Sequence, residues 1–234
     1  MNKQYQSDPV LRKWVNPYYL RPNTIDAIRE SSLARPHMSY AVLDNFFNED
    51  VLDNYLEKHR KLRFYKDEAN NPYDAFAVVG EKGKVIGSEL FYHKAWHTLC
   101  AEYTGTPLSQ PGEKTLIKLR AHNADSKGFW IHSDRSDFEN VSMAILVYLN
   151  RNWKHDEGHM LQLWSKIERP EGIDTVDFSW EDFKDKRLDF LDERYSLTID
   201  LATGGKTEPS ELFLIDQVIP EFNRLVLTDF IREP

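Results

Sequence analysis

His132 and Asp134 form the pair of side chains in this sequence that most clearly suggests chemistry, because a single residue separates them in the segment GFWIHSD. An imidazole and a carboxylate at this spacing can bind one metal ion. With a second His from a distant strand they form the facial triad of non-haem Fe(II) oxygenases. The tripeptide alone is a weak signal, because chance yields roughly one such pair in a chain of this composition. A surface turn is the alternative interpretation.

Several further segments follow the pair in order: Tyr148 within AILVYLN, Gly158 before HMLQLW, and later NRLVL. Together with GFWIHSD they resemble the prolyl-4-hydroxylase-like branch of the 2-oxoglutarate and Fe(II)-dependent dioxygenases. The resemblance covers residues 115–230, and SYAVLDNFF and AEYTGTPL are similar to the N-terminal part of that family. It implies a double-stranded β-helix, a jelly-roll of the cupin kind. It also implies hydroxylation of an unactivated C–H bond.

The resemblance implies roles for five residues of this chain. His132 and Asp134 would bind the iron, and Tyr148 would donate a hydrogen bond to the distal carboxylate of 2-oxoglutarate. Leu161 would line the pocket of that co-substrate, and His122 stands where relatives often carry a Tyr near it. Tyr148 and Leu161 could also be ordinary inward-facing strand residues. Ascorbate is an implied reductant, and the presence of Asp134 favours hydroxylation over halogenation.

The sequence departs from the family pattern after NRLVL. Relatives carry a distal iron-binding His and then an Arg that binds 2-oxoglutarate, whereas here no His follows His159 and the sequence stops at Pro234. Two interpretations stay open: a chain that lacks its C-terminal strand, or a non-catalytic binding or scaffold relative. A third ligand could also come from His159 or from a partner.

These motifs do not distinguish between the candidate substrates. A prolyl residue of a peptide and a free amino acid or small metabolite both remain candidates, because fold-level analogy says little about specificity. A separate group, His93, His97 and Cys100, has the i, i+4, i+7 spacing that could hold zinc on one helix face. Because apolar residues surround Cys100, a core position is the main alternative.

The sequence predicts a single domain, residues 1–234, whose helices and strands fall into two parts. Residues 1–110 are predicted to be mainly helical, with helices over 25–34, from 49 onwards after Asn48, and from Ser88 to Gly105, and a strand over 38–47. Residues 111–234 carry short apolar runs separated by turns, which indicate a β core. An acidic insertion of about 165–210 contains a further predicted helix after Ser179. The fold class is therefore mainly β with flanking helices (α+β).

Composition excludes several classes of protein. The net charge of −8 argues against a nucleic-acid partner, and the longest apolar run, residues 143–149, is too short to cross a membrane. The start of the chain shows no secretory signal pattern, and one cysteine excludes an intrachain disulfide. We therefore expect a cytoplasmic protein with a small-molecule or peptide substrate. The oligomeric state is left open.

Overall fold

The computed structural model describes residues 3–35, 38–60, 65–66, 75–80, 87–106, 117–122, 143–154, 158–165, 175–177, 196–203 and 206–229. His132, Asp134 and the helix predicted after Ser179 lie outside these ranges. The helices are α1 (Lys3–Ser7), α2 (Pro9–Trp14), a 3₁₀ turn (Pro17–Leu20), α3 (Pro22–Leu33), α4 (Glu49–His59), α5 (Ser88–Phe91) and α6 (Lys94–Thr104). The strands are β1 (Tyr40–Leu43), β2 (Tyr65–Lys66), β3 (Ala75–Gly80), β4 (Ile117–His122), β5 (Met143–Val147), β6 (Leu161–Ser165), β7 (Thr175–Asp177), β8 (Ser196–Thr203), β9 (Lys206–Val218) and β10 (Leu225–Asp229).

The predicted N-terminal helices are found, with two changes. Helix α3 begins earlier than expected, at Pro22, whose fixed φ suits the first turn of a helix. The prediction of a single helix from Ser88 to Gly105 is wrong, because two helices, α5 and α6, occupy this range. His93 has extended backbone at the break and its ring contacts Asp8, a tertiary contact that helical periodicity does not reveal. Gly105 ends α6 with φ 71°, as predicted.

The start of the chain folds into two short helices that were not predicted. The side chain of Asp8 accepts hydrogen bonds from the backbone N–H groups of Val10 and Leu11, and Pro9 occupies the first turn of α2. This is an N-terminal capping signal that the sequence does carry.

Within the described residues, the strands form three sheets, in the orders β1-β10-β5, β2-β3-β4 and β6-β9-β8-β7. All neighbours are antiparallel except β7 and β8. The described parts of the segment 165–210 are strands that extend the β6–β9 sheet. The architecture is therefore mixed α+β with mostly antiparallel sheets, and these strands do not close a barrel.

The strand pairs of the C-terminal half are nested. In chain order β5, β6, β9 and β10, the outer two pair with each other and the inner two pair with each other. Nested antiparallel pairs arise when a long hairpin folds over on itself, as in jelly rolls and related Greek-key folds.

The β1-β10-β5 sheet separates two apolar clusters, because side chains alternate between its faces. One face packs on the helices and on the largest core cluster, which contains Trp14, Phe46, Trp96 and Tyr103. The sheet residues on this face are Ala41, Leu43, Leu225, Leu227, Met143, Ile145 and Val147. The opposite face, here called the inner face, bears Tyr40 and Val42, which pack with Leu161, Leu163 and Ile215 of β6 and β9.

Candidate functional site

Tyr148 follows β5 and belongs to the inner face by strand alternation, since Val147 and Leu149 pack against the helical cluster. Its backbone N–H donates to the carbonyl of Arg224 at 3.0 Å, and its carbonyl accepts from Asn223 N–H at 2.9 Å. Burial raises the pKa of the phenol, and the nearby Arg224 opposes this only in part. Tyr148 is therefore a neutral donor at physiological pH, which is the form that can hydrogen-bond a carboxylate.

Arg224 directly precedes β10 and holds the start of this strand beside Tyr148. Its Nε donates to Asp44 Oδ1 at 2.5 Å, its Nη1 donates to the Ile219 carbonyl at 2.8 Å, and its Nη2 donates to Glu221 Oε2 at 2.9 Å. The Asp44 hydrogen bond is the main reason why the pKa of this guanidinium is raised. Arg224 thus joins the end of β1, the turn before β10 and the segment that holds Tyr148.

Leu161 begins β6 and is half-buried in the cluster between the two sheets, with Tyr40 and Leu163. It is therefore an inward-facing strand residue, and a role in lining a co-substrate pocket stays a prediction. The turn into β6 has left-handed backbone at Gly158, with φ 65°, and at His159, with φ 63°. The Gly158 carbonyl accepts a hydrogen bond from Trp153 Nε1 at 2.8 Å, and the Nε2 atom of His159 is buried.

Of the other residues for which the resemblance implies a role, only His122 lies in the part of the chain that the structure describes. His122 is the last residue of β4 and pairs with Ala75 of β3, in a different sheet from Tyr148. His132 and Asp134 lie outside the described residues, so their role as iron ligands stays a prediction.

The zinc hypothesis for His93, His97 and Cys100 is wrong. In the described part of the chain, no three His, Cys, Asp or Glu side chains form a group that could hold a metal ion, and these three are all described. The Nε2 atom of His93 lies 2.8 Å from Asp8 Oδ2, outside α6. Cys100 is a member of the main apolar cluster, where burial raises the pKa of its thiol, and burial also lowers the pKa of His97.

One polar group that the sequence did not reveal links Arg35, Tyr40 and Asp216. The Tyr40 hydroxyl donates to the Asp216 carboxylate, and the Arg35 guanidinium lies over the Tyr40 ring, 3.6 Å from its centroid. Arg35 Nη1 and Asp216 Oδ2 are 3.7 Å apart. Burial and the Asp216 hydrogen bond raise the pKa of the Tyr40 phenol. The alternation of SYAVL could have placed Tyr40 on the inner face, but neither partner could be read from the sequence.

The described residues thus provide an apolar inner face with a neutral, half-buried phenol at one strand end. Among the described helices, none has the length and apolar character required to cross a bilayer. In comparisons with known proteins, no protein-family model and no curated protein matches this chain.

Proposed function

We propose that this chain is a 2-oxoglutarate-dependent Fe(II) dioxygenase that hydroxylates an unactivated C–H bond on a double-stranded β-helix core. The observation that carries the proposal is the nested pairing of the strands whose sequences resemble that family. The AILVYLN strand, β5, pairs with the NRLVL strand, β10, while the HMLQLW strand, β6, pairs with β9. A folded-over hairpin of this kind is the basis of a jelly-roll core.

The donor types fit the cofactor. An imidazole and a carboxylate, from His132 and Asp134, suit Fe(II) with positions left open for a co-substrate and O₂. When bound, Fe(II) and 2-oxoglutarate would supply the oxidation, in which O₂ gives one oxygen atom to the substrate and one to succinate. Tyr148 would orient 2-oxoglutarate through its neutral phenol, and the apolar inner face would exclude water. Leu161 would line the co-substrate pocket, and a role for His122 near it rests on the family resemblance alone.

The proposal does not identify the third iron ligand. The family's distal His and 2-oxoglutarate Arg have no counterpart in the 234 residues, so the ligand would come from His159, from a partner or from a segment outside this sequence. The proposed substrate is a prolyl residue of a peptide or a free amino acid or small metabolite, with ascorbate as reductant. A cytoplasmic setting fits the single cysteine.

An anaerobic titration with Fe(II) and 2-oxoglutarate tests the proposal. We expect the weak visible absorption band of the iron–keto-acid chelate to appear with the wild-type chain and to be lost in Asp134→Ala. Asp137→Ala removes a carboxylate just outside the motif and should keep the band. Succinate release in the presence of O₂ then serves to screen substrates. A band that survives in Asp134→Ala contradicts the assignment of Asp134.

A second candidate is a binding or scaffold relative that keeps the fold without the chemistry. This candidate predicts that the wild-type chain gives no band and binds neither Fe(II) nor 2-oxoglutarate tightly, and that a longer chain gives no band either.

A further inference from the structure

A groove with a cavity of about 300 Å³ runs between helix α3 and strand β1. All four residues of β1 line one side of it. The other side is one face of α3, on which Thr24, Ala27, Ile28 and Ser31 recur at helical spacing, and Arg35 follows just after the helix ends. The groove therefore follows the strand over its whole length, about 13 Å.

Strand β1 presents hydrogen-bonding groups to the side away from β10. Asp229 N–H donates to the Ser39 carbonyl at 2.9 Å, which makes Ser39 and Asp229 a hydrogen-bonded pair in the antiparallel ladder. Because such pairs alternate, Ala41 and Leu43 also bond towards β10, and the backbone N–H and C=O of Tyr40 and Val42 point the other way. In the part of the chain that the structure describes, β1 has no strand neighbour on that second side.

Arg35 stands at the Tyr40 end of the groove. Its Nε atom is buried and has no hydrogen-bond acceptor among the described residues. The guanidinium is held in place by the Tyr40 ring and by the ion pair of Nη1 with Asp216, which is long at 3.7 Å. A buried N–H without an acceptor is unfavourable, so this group favours a ligand that brings an acceptor oxygen to it.

We propose that this groove binds an extended peptide as an additional strand antiparallel to β1, with the C-terminal carboxylate of the peptide on Arg35. An added antiparallel strand ends beside the first residue of β1, which is Tyr40, and Arg35 lies there. The backbone of the peptide pairs with the outward N–H and C=O groups of Tyr40 and Val42, as in other cases of strand addition to a sheet edge. The site uses neither His132 nor Asp134, so it is independent of the proposed oxygenase chemistry.

The test starts from a library of randomised octapeptides with free C-terminal carboxylates, selected against the full chain. An enriched peptide carrying fluorescein is then titrated by fluorescence anisotropy. We expect C-terminal amidation to weaken binding by about tenfold or more, because a charge-assisted hydrogen bond is lost. N-methylation at alternate peptide residues should weaken binding by a similar factor, because it blocks strand pairing.

Two arginine variants separate the site from general charge effects. Arg35→Gln should weaken binding of the peptide with a free C-terminal carboxylate about tenfold. It should also abolish the difference in affinity between this peptide and its amidated form. Arg29→Gln, which pairs with Asp26 on the same helix and does not line the groove, should leave binding unchanged. Val42→Pro removes an outward N–H without touching the β10 ladder and should also weaken binding. Circular dichroism verifies that each variant is folded.

The proposal is overturned if no peptide is enriched, or if the enriched peptide binds folded Arg35→Gln as well as it binds the wild type. Equal binding of the amidated peptide also overturns it. Displacement of the peptide by millimolar acetate, with no effect of N-methylation, would indicate an anion site without strand pairing and would overturn it too.

Discussion

The side chain of Asn223 makes two hydrogen bonds to the backbone of Phe47. Its Oδ1 accepts from Phe47 N–H and its Nδ2 donates to the Phe47 carbonyl, both at 2.9 Å, and the residue itself is buried. Its backbone has φ 61°, a conformation that Asn and Gly tolerate best. The residue therefore joins the segment after β1 to the turn before β10.

Replacing Asn223 should lower the free energy of unfolding through two separable effects. Asn223→Gly keeps the left-handed backbone and leaves the Phe47 groups without partners, for a loss of about 2–3 kcal/mol. Asn223→Ala adds about 1 kcal/mol of backbone strain. Urea unfolding of both variants measures the two losses, and equal stability of Gly and Ala variants would argue against the strain.

Tyr148→Phe tests the proposed function at the level of one hydroxyl. If the phenol donates to 2-oxoglutarate, its loss should raise the Kd of the co-substrate about tenfold in the anaerobic titration. Binding of Fe(II) alone and the free energy of unfolding should change little, because the ring remains. Tyr18→Phe, at an exposed phenol, is the control. An unchanged Kd would remove Tyr148 from the site.

Helix α6 depends on Gly105 for its C-terminal end. The residue has φ 71°, and a Cβ there would lie 2.8 Å from Leu33 Cδ2. Gly105→Ala should therefore lower the free energy of unfolding by about 1–2 kcal/mol, partly from the left-handed backbone and partly from the contact. In a Leu33→Ala background the contact is removed and the loss should shrink towards the backbone part alone. An identical loss in both backgrounds would show that Leu33 moves away freely.

The start of helix α2 should make the protein sensitive to acid. Burial tends to raise the pKa of Asp8, but hydrogen bonds from Leu11 N–H, His93 and Val10 N–H outweigh it and lower the pKa below the ordinary value of 3.8. The ionised cap therefore stabilises the folded chain above that value, and this contribution, about 1 kcal/mol, is lost as the pH falls through the lowered pKa.

Asp8→Asn removes this titration, so its stability should fall less than that of the wild type between pH 5 and pH 3. Urea midpoints at the two pH values give the comparison. Asp26→Asn, whose partner is the exposed Arg29, should keep the wild-type pH dependence. If Asp8→Asn follows the wild type as well, the cap does not contribute to acid sensitivity.

Elements with local signals could be predicted from the sequence, and elements set by distant contacts could not. The apolar periodicity of α3 and α4, and Asn48 as the residue before α4, were visible in the residues themselves, whereas the start of α3 at Pro22 was not predicted. At the break between α5 and α6, His93 contacts Asp8, which is 85 residues away in the sequence. The hydrogen bond between Tyr40 and Asp216 joins residues that are 176 positions apart. The roles of His132 and Asp134 stay predictions, since both lie outside the described residues.

Described residues of the helices and of the β1-β10-β5 sheet share an apolar cluster. Leu227 of β10 is fully buried in it with Trp14 and Trp96 of the helical part. Leu227→Ala should lower the free energy of unfolding by about 2–5 kcal/mol, because the substitution leaves a cavity. Tryptophan fluorescence and far-UV circular dichroism should report the same urea midpoint in wild type and variant. Separate midpoints would show that the helices and the sheet unfold independently.

The position of β10 between β1 and β5 also affects how the protein is made. Phe47 and Asn223, which are hydrogen-bonded in the folded chain, are 176 residues apart. At typical rates of translation a ribosome needs roughly 10 to 40 seconds to synthesise that distance. Throughout this interval β1 lacks its neighbour β10, and β5 joins it in this state once Val147 has been made, in the second half of the interval. The nascent chain therefore exposes two unpaired strands that a chaperone can protect and that neighbouring nascent chains can capture.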